Sequence, residues 1–315
     1  MPNRSHFNSG LRALNKMRRD GVNHSSTLEF VVPSKTHHIL FIDDAIEILK
    51  KIPSESVQLI LIDPPYNLDI AQWDTYSNYL DWARLWLNEG IRVLKKSGSI
   101  AIFGGMQYQG VRTGDLLELT QYLRNETDLR LVNFIIWYYK NGMSAHRFFA
   151  NRHEEITWFA KTDKYYFDLD AVRIPFDEET KLTYMRDKRL NPESIKKGKN
   201  PTNVWEIGRL NGNSQERVGH PTQKPVELVR RLVKALSYPG SIVLDFFAGS
   251  GTTGRVCMEE KRHSIMVDSD PDTKKYLRKQ MENMPPILNE TFQLHTNPET
   301  RFLKDLSEPT WFQKI

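Results

Sequence analysis

The sequence predicts an α/β chain built on a doubly wound, mostly parallel sheet, with an insertion carried between its two halves. Three observations predict it. Apolar runs of strand length, such as Val57–Ile62 and Ile242–Phe246, alternate with stretches of helical period. Strands that alternate with helices need crossover connections, and crossovers make neighbouring strands parallel. From about residue 167 to 219 the alternation stops, with scattered Pro, Asn and Gly, many charges and no sustained period, and then it resumes.

Residues 1–35 read as an irregular basic arm. His38–Ile42 is expected to be a short strand, followed by Asp43-Asp44 and a short helix over Ala45–Lys51; Pro53 precedes the strand Val57–Ile62. Tyr79, Trp82, Trp86, Leu87, Ile91 and Leu94 recur at helical spacing, so an amphipathic helix is expected there, ended by Ser97-Gly98. Most of its aromatics serve the core. Ser99–Phe103 is the next strand, with further strands over Leu131–Trp137 and Glu155–Ala160. Beyond the insertion come a helix from Pro225 to Leu236 with Pro in its first turn, the strand Ile242–Phe246 and a Gly-rich turn. A helix over Thr252–Lys261, a strand over Ser264–Val267 and a helix over Asp272–Met284 complete the alternation. The expected division is an arm (1–35), a first half (36–166), the insertion (167–219), a second half (220–285) and a tail (286–315) without readable pattern.

Composition narrows the function classes. No apolar run approaches the roughly 18 residues of a membrane span, so no membrane helix is expected. The first residues are polar and basic and lack a signal-peptide apolar stretch. Cys257 is the only cysteine, which excludes an intrachain disulfide and argues against a structural zinc site. No metal is expected, and the compartment expected is cytoplasmic. The formal net charge of +5 permits a polyanionic partner. Arg186, Lys188, Arg189, Lys196, Lys197 and Lys199 cluster against only Asp187 and Glu193. Solvated loop charge is the plainer reading of that cluster.

Two motifs carry chemistry. Asp63-Pro64-Pro65-Tyr66 follows the apolar run Val57–Ile62. A carboxylate and a carbonyl can accept the two N–H bonds of an amino group conjugated to an aromatic ring. An aromatic side chain can stack on that ring, and prolines stiffen the turn that aims them. A simple strand stop would use Asp-Pro-Pro as well. The second motif, Val243 to Gly254, is a strand, a tight turn and a helix start, with Gly249, Gly251 and Gly254 in G-x-G-x-x-G spelling. Glycine lets such a backbone approach a ligand closely. Asp268 ends the following strand, where a carboxylate suits ribose hydroxyls. Alone, this motif serves NAD, FAD or any other adenosine cofactor. Beside Asp63-Pro64-Pro65-Tyr66, for which a dehydrogenase has no use, S-adenosyl-L-methionine is favoured.

These residues resemble the beta-class DNA amino-methyltransferases of restriction–modification systems, in which the catalytic tetrapeptide precedes the cofactor loop. His220-Pro221-Thr222-Gln223-Lys224-Pro225 matches that family's additional cofactor-contacting motif. Asn151-Arg152-His153-Glu154-Glu155, Ile102-Phe103-Gly104-Gly105 and Ser144-Ala145-His146-Arg147-Phe148-Phe149 are similar to family segments. The likeness runs from Asn3-Arg4-Ser5-His6 to about Asp268. It enters the insertion at Asp187-Lys188-Arg189-Leu190-Asn191-Pro192-Glu193-Ser194 and at Asn200-Pro201-Thr202-Asn203-Val204-Trp205.

The resemblance implies a Rossmann-like S-adenosylmethionine-dependent methyltransferase fold with permuted motif order, the insertion being its target-recognition region. It implies methylation of adenine N6 in a short duplex sequence after base flipping, with GAATTC as the site and GANTC as the alternative. Asp at the first tetrapeptide position favours adenine N6, since Ser is common in cytosine-N4 enzymes. Asp63, Pro64, Pro65 and Tyr66 would be catalytic. Asp63, Pro64 and the run Asp245, Phe246, Phe247, Ala248, Gly249, Ser250, Gly251 and Thr252 would hold the cofactor, with Asp268 on its ribose. Asp44 would contact its adenine end, or else cap a helix. His220, Thr222 and Lys224 would lie near its methionine carboxylate, although Lys224 reads equally as a surface lysine. DNA would be held by Arg186, Lys188, Arg189, Lys196, Lys197, Lys199, Trp205, Arg209 and Arg217. Trp73 and Tyr76 are candidates to close over the flipped base, or to pack on the next helix. Double-stranded DNA, a cognate restriction endonuclease and a second copy of the chain are the implied partners, in a bacterial cytoplasm. The rivals are a cytosine-N4 enzyme, an RNA or protein methyltransferase, a nicotinamide dehydrogenase and a catalytically silent DNA-binding regulator. Methyltransferases of RNA or protein usually place the glycine loop before the tetrapeptide, the reverse of the order here.

Overall fold

Strand β2 (Val57–Ile62) is buried along its whole length, and its period of two sends Ile60 and Ile62 to one face of the sheet and Leu59 and Leu61 to the other. A strand apolar on both faces needs cover on both, and the rest of the fold provides it. The computed structural model describes residues 30, 32–67, 78–106, 116–142, 146–147, 149–288 and 290–306. Most of the expected arm, Trp73 and Tyr76, and Ser144, Ala145 and Phe148 of the 144–149 segment lie outside the described residues.

The other strands are β1 (Thr36–Ile42), β3 (Leu94–Gly104), β4 (Arg130–Tyr138), β5 (His153–Ala160), β6 (Val204–Glu206), β7 (Ile242–Asp245), β8 (His263–Asp268) and β9 (Phe292–Thr296). Among the described residues they form one sheet in the order β6-β4-β5-β3-β2-β7-β8-β1-β9. Only β5 runs against its neighbours, pairing antiparallel with β3 and β4. The remaining pairings are parallel.

Helices cover both faces. α1 (Ala45–Leu49), α2 (Tyr79–Val93) and α3 (Leu116–Glu126) bury Ile48, Trp86, Leu87, Leu119 and Leu123 against Ile60, Ile62, Ile100 and Leu244. α6 (Val226–Leu236) buries Leu228, Val229, Leu232 and Val233 on the opposite face, against Leu59, Leu61 and Val243. α7 (Thr252–Glu259) adds Val256 and Cys257 to that face, while its Met258 packs with Leu277 of α8 (Thr273–Glu282) over Leu40 and Met266. The sheet is therefore doubly wound, as expected.

The topology matters most at its centre. From β2 the chain crosses through α2 to β3 on one side, and from β7 it crosses through α7 to β8 on the other. β2 and β7 are neighbours whose crossovers diverge, so the carboxyl ends of these two strands border a crevice. Open α/β sheets bind ligands at such a switch point.

Four features differ from the sequence reading. α2 stops at Val93, and β3 starts at Leu94 rather than after Ser97-Gly98. Leu94 pairs with Val57 and Ser99 with Leu59, so Lys95–Gly98 form an irregularity inside the strand. The insertion contains helices α4 (Glu178–Arg186) and α5 (Pro192–Lys197), and it returns β6 to the main sheet beside β4. α4 buries none of its residues, which is why it left no apolar period to read. The tail is not featureless either. β9 adds to the edge beside β1, and the Asn297 Oδ1 accepts from the Ile42 N–H at 2.8 Å. Among the described residues no helix is long and apolar enough to cross a membrane.

Candidate active site

β2 delivers the tetrapeptide. Once the chain passes Ile62 it leaves the ladder, because Pro64 and Pro65 have no N–H to donate and a fixed φ. The Tyr79 hydroxyl, at the start of α2, donates to the Pro65 carbonyl at 2.7 Å and pins the turn to the helix. Asp63 is engaged at both oxygens: Oδ1 accepts from the Tyr66 hydroxyl at 2.6 Å, and Oδ2 from the Lys224 ammonium at 2.6 Å.

β7 delivers the glycine loop next door. Gly249 and Gly251 have φ of +46° and +74°, a region that favours glycine. A Cβ on Gly249 would lie 3.2 Å from the His220 ring, and one on Gly251 would meet the backbone of Leu277 at 3.2 Å. The loop is held on all sides. Ala248 N–H donates to Val267 O at 3.0 Å, Gly251 N–H to Ala248 O at 2.8 Å and Gly249 N–H to Asp268 Oδ2 at 2.6 Å. Asp245 accepts from the Thr253 hydroxyl at 2.6 Å and from Phe247 N–H at 3.2 Å.

A third segment closes the site from the side. Gln223 bonds Val218 N–H and Glu216 O, each at 2.9 Å, which stiffens the run His220–Pro225. The Thr252 hydroxyl donates to Lys224 O at 3.3 Å and ties that run to the glycine loop.

These segments border one cavity of about 430 Å³, within the roughly 300–1,000 Å³ of small-molecule sites. Asp63, Pro64, Pro65 and Tyr66 line it together with Asp245, Phe246, Phe247, Ala248, Gly249, Ser250, Thr252 and Asp268. Asp44, His220, Thr222, Lys224, Arg209 and Arg217 line it as well. The tetrapeptide and the glycine loop, far apart in the chain, thus share a wall. Asp44 caps α1, its Oδ1 accepting from Glu47 N–H at 3.0 Å, and it also lines the cavity.

Lys224 has buried partners that its place in the sequence did not show. It is 9% exposed, and its ammonium lies against Asp63 and, at 3.4 Å, against Glu154 Oε2. Burial lowers its pKa, but the two carboxylates outweigh burial and hold it above the ordinary lysine value. It is neither a surface lysine nor directed solely to a ligand. The sequence assigns no role to Glu154 beyond its place in a family-like segment. The available signal was a pair of carboxylates, Glu154-Glu155, opening an otherwise apolar strand; the alternation of β5 sends them to opposite faces.

The basic residues of the insertion divide. Arg186, Lys188, Arg189, Lys196, Lys197 and Lys199 are all exposed. Arg189 pairs with Asp187, Lys196 with Glu193 and Lys197 with Asp170, contacts that exposed side chains exchange at little cost. Trp205 does not belong with them. It is 8% exposed, its indole N–H donates to Thr202 O at 2.6 Å, and the Arg231 guanidinium covers its ring at 5.0 Å. Its expected place on a DNA-binding face is corrected to the core beneath α6. Arg209 lies over the Tyr139 ring at 5.0 Å, and Arg217 donates to His220 O at 3.1 Å.

Electrostatically the cavity is acidic, lined by Asp44, Asp63, Glu154, Asp245, Asp268 and Asp270 against Lys224, Arg209 and Arg217. Burial pushes Asp245 up to about 7 against the hydrogen bonds it accepts, and it also raises Asp268. Burial lowers His220, despite nearby Asp63 and Asp268. Between its ordinary 3.8 and about 7 the folded chain therefore holds a proton on Asp245 that the unfolded chain releases. This contribution to stability falls as pH rises through that window. Asp245→Asn is expected to flatten the fall relative to wild type. Urea midpoints of both proteins across the window check this, and parallel curves would contradict it.

Comparisons with known proteins accord with this geometry. A family model described as DNA methylase (N6_N4_Mtase) matches residues 57–279. The chain is 34% identical over 276 residues to the Type II methyltransferase M.HpaI of Haemophilus parainfluenzae, covering 86% of this chain and 81% of that one. It is 34% identical over 233 residues to the DNA adenine methyltransferase YhdJ of Escherichia coli K12, covering 71% and 76%. Among solved structures, the PvuII DNA methyltransferase (cytosine-N4-specific) superposes with a TM-score of 0.60 at 19% identity, covering 87% of this chain and 93% of that one. A DNA modification methylase of Thermus thermophilus, complexed with S-adenosyl-L-methionine, superposes at 0.56 and 21% identity, covering 83% and 99%.

Proposed function

The chain belongs to the N6/N4 DNA methylase family, and on that premise we propose that it transfers a methyl group from S-adenosyl-L-methionine to N6 of adenine at a short sequence in duplex DNA. The observation that carries the reading is the shared wall of Asp63–Tyr66 and the glycine loop at the β2–β7 switch point.

The cofactor, when bound, supplies a methyl group made electrophilic by a sulfonium. The site fits it in two respects: the cavity has a suitable size, and its lining carries Gly249 of the glycine loop together with Asp44, Asp245 and Asp268. Asp268 would hold the ribose, and the run from Ala248 to Thr252 would hold the methionine portion.

An exocyclic amine on a purine is a poor nucleophile, because its lone pair is delocalised into the ring. Asp63 and the Pro64 carbonyl accept its two N–H bonds and draw the nitrogen toward a localised, tetrahedral geometry. Each carboxylate oxygen accepts more than one hydrogen bond, so the contacts from Tyr66 and Lys224 leave acceptor capacity for the substrate. Tyr66 stacks on the base, recovering part of the few kcal/mol that flipping it out of the duplex costs. The surplus proton leaves the nitrogen after the methyl has moved. Catalysis is positioning and electrostatics, with no covalent enzyme intermediate. Cys257 fits that account: it is fully buried, and burial pushes its thiol up, away from nucleophile character.

Adenine is preferred to cytosine N4 because the first tetrapeptide residue is Asp63, and because a relative described as a DNA adenine methyltransferase is 34% identical. The resemblance of the insertion segments supports GAATTC as that sequence. The exposed cations of the insertion hold the phosphates, and Arg209 and Arg217 are the ones that border the cavity the flipped base would enter. Binding of duplex DNA is therefore expected to weaken steeply with salt: neutralising about six phosphates gives a log–log slope near −5. Fluorescence anisotropy between 50 and 300 mM salt reads the slope, and a flat response would remove these cations from the interface. The function is tested by expressing the chain in a host that lacks DNA methylation and mapping modified bases across its genome. N6-methyladenine at one short motif is expected. N4-methylcytosine would overturn the choice of base, and an unmodified genome the reading itself.

A further inference from the structure

Glu154 has no part in the chemistry above, yet its position is unusual. β5 is buried along nearly its whole length, and Glu154 itself is 9% exposed. Its Oε2 lies 3.4 Å from the Lys224 ammonium, which in turn is 2.6 Å from Asp63 Oδ2 and 3.3 Å from the Tyr66 hydroxyl. The rings of Tyr66 and Phe103 flank the same ammonium at 5.5 and 5.6 Å. Three separate segments, the end of β2, the end of β3 and the start of β5, thus meet around one cation carried on the turn before α6.

Neutralising Asp63 would have required Lys224 alone. A lone Lys224–Asp63 pair is formally neutral, whereas Asp63, Lys224 and Glu154 together carry −1. The reaction proposed above moves a positive charge across this space, from a sulfonium to the nitrogen beside Asp63. A cluster at −1 attracts that charge more strongly as it arrives beside Asp63 than while it rests on the sulfonium, and a formally neutral pair supplies less of that difference. Glu154 also gives the flexible lysine stem a second anchor, so the ammonium fixes the Asp63 carboxylate in one orientation.

We propose that Glu154 is a positioning residue for methyl transfer: it holds the Lys224 ammonium between two carboxylates, which fixes Asp63 against the amino group and keeps the cluster at net charge −1. The inference rests on the methyltransferase reading above. It adds a residue and a charge requirement that this reading does not contain.

The test is single-turnover transfer of labelled methyl to unmethylated duplex DNA, run beside calorimetric S-adenosyl-L-methionine binding and thermal unfolding. Glu154→Gln keeps size and acceptor geometry while removing the charge. It is expected to slow transfer by on the order of 10²-fold, as a small misplacement of reacting groups does. The dissociation constants for cofactor and DNA should stay within about threefold of wild type, since the loss falls on the transfer step. Glu154→Asp should recover most of the rate. On a Lys224→Met background, Glu154→Gln should add less than about twofold, because the two residues act as a unit.

A Glu154→Gln enzyme with a rate within twofold of wild type would overturn the proposal. So would a variant that loses cofactor binding or folding instead of rate, or one that loses as much rate without Lys224 as with it. Wild-type protein that labels no DNA at all would instead overturn the methyltransferase reading, which keeps the two failures apart.

Discussion

Asp63→Ala is expected to abolish methyl transfer while leaving cofactor binding nearly intact. The carboxylate accepts a hydrogen bond from the substrate amine only as the nitrogen is drawn out of conjugation, so its loss falls on the transition state. Losing one such preorganised electrostatic contact costs on the order of 10²–10³-fold in rate. Here the methyl acceptor also loses the group that localises its lone pair, so the effect should reach or exceed the upper end. The fold should tolerate the change. Asp63 lies at the end of β2 with its side chain 22% exposed, and Lys224 keeps Glu154 as a partner when Asp63 is gone. Single-turnover labelling and cofactor calorimetry on the same preparation check this. An Asp63→Ala enzyme turning over at the wild-type rate would remove Asp63 from the chemistry.

Gly251→Ala should produce the second largest effect, of the opposite kind. At φ of +74° a Cβ costs roughly 1–2 kcal/mol. It would also crowd Leu277, whose side-chain and backbone atoms lie 3.0–3.2 Å from its ideal position. Relief requires the loop to shift away from α8. That shift disturbs the N–H of Gly251 on Ala248 O and the start of α7. Cofactor affinity is expected to fall more than about tenfold, with unfolding stability down by roughly 1–3 kcal/mol. Gly212→Ala is the control, since a Cβ there meets nothing within 4 Å. Equal effects at both positions would deny the loop its special geometry.

How much of this was legible in the sequence depends on how local each feature is. β2 falls on Val57–Ile62 as read, and the strands around β4, β5, β7 and β8 differ by a residue or two at their ends, because a strand apolar on both faces is a short continuous run. The tetrapeptide and the glycine loop were legible for the same reason, as each is a few adjacent residues. Their adjacency in space was a bet on topology, since β2 and β7 pair across most of the chain. β6 and β9 are short edge strands with one buried residue each, so they carry no alternation to read. α4 buries none of its residues. Trp205 was misplaced because an aromatic in a basic segment reads as a ligand contact. What buries it, Arg231 above and the sheet below, comes from elsewhere in the chain. The partner of Lys224 was illegible on the same grounds, as its ion pair with Asp63 joins residues separated by 161 positions. The G-x-G-x-x-G spelling was legible and ambiguous. Membership of the DNA methylase family decides it against a dehydrogenase.

The account stands on donor and acceptor meeting where β2 and β7 part, and a crystal structure with S-adenosyl-L-methionine bound tests that most directly. The cofactor should lie in the cavity with its methionine portion along Ala248–Thr252 and its ribose at Asp268. Its methyl group should point into the space in front of Asp63 and Pro64. A cofactor seated elsewhere, or one whose methyl faces away from Asp63, would contradict the account.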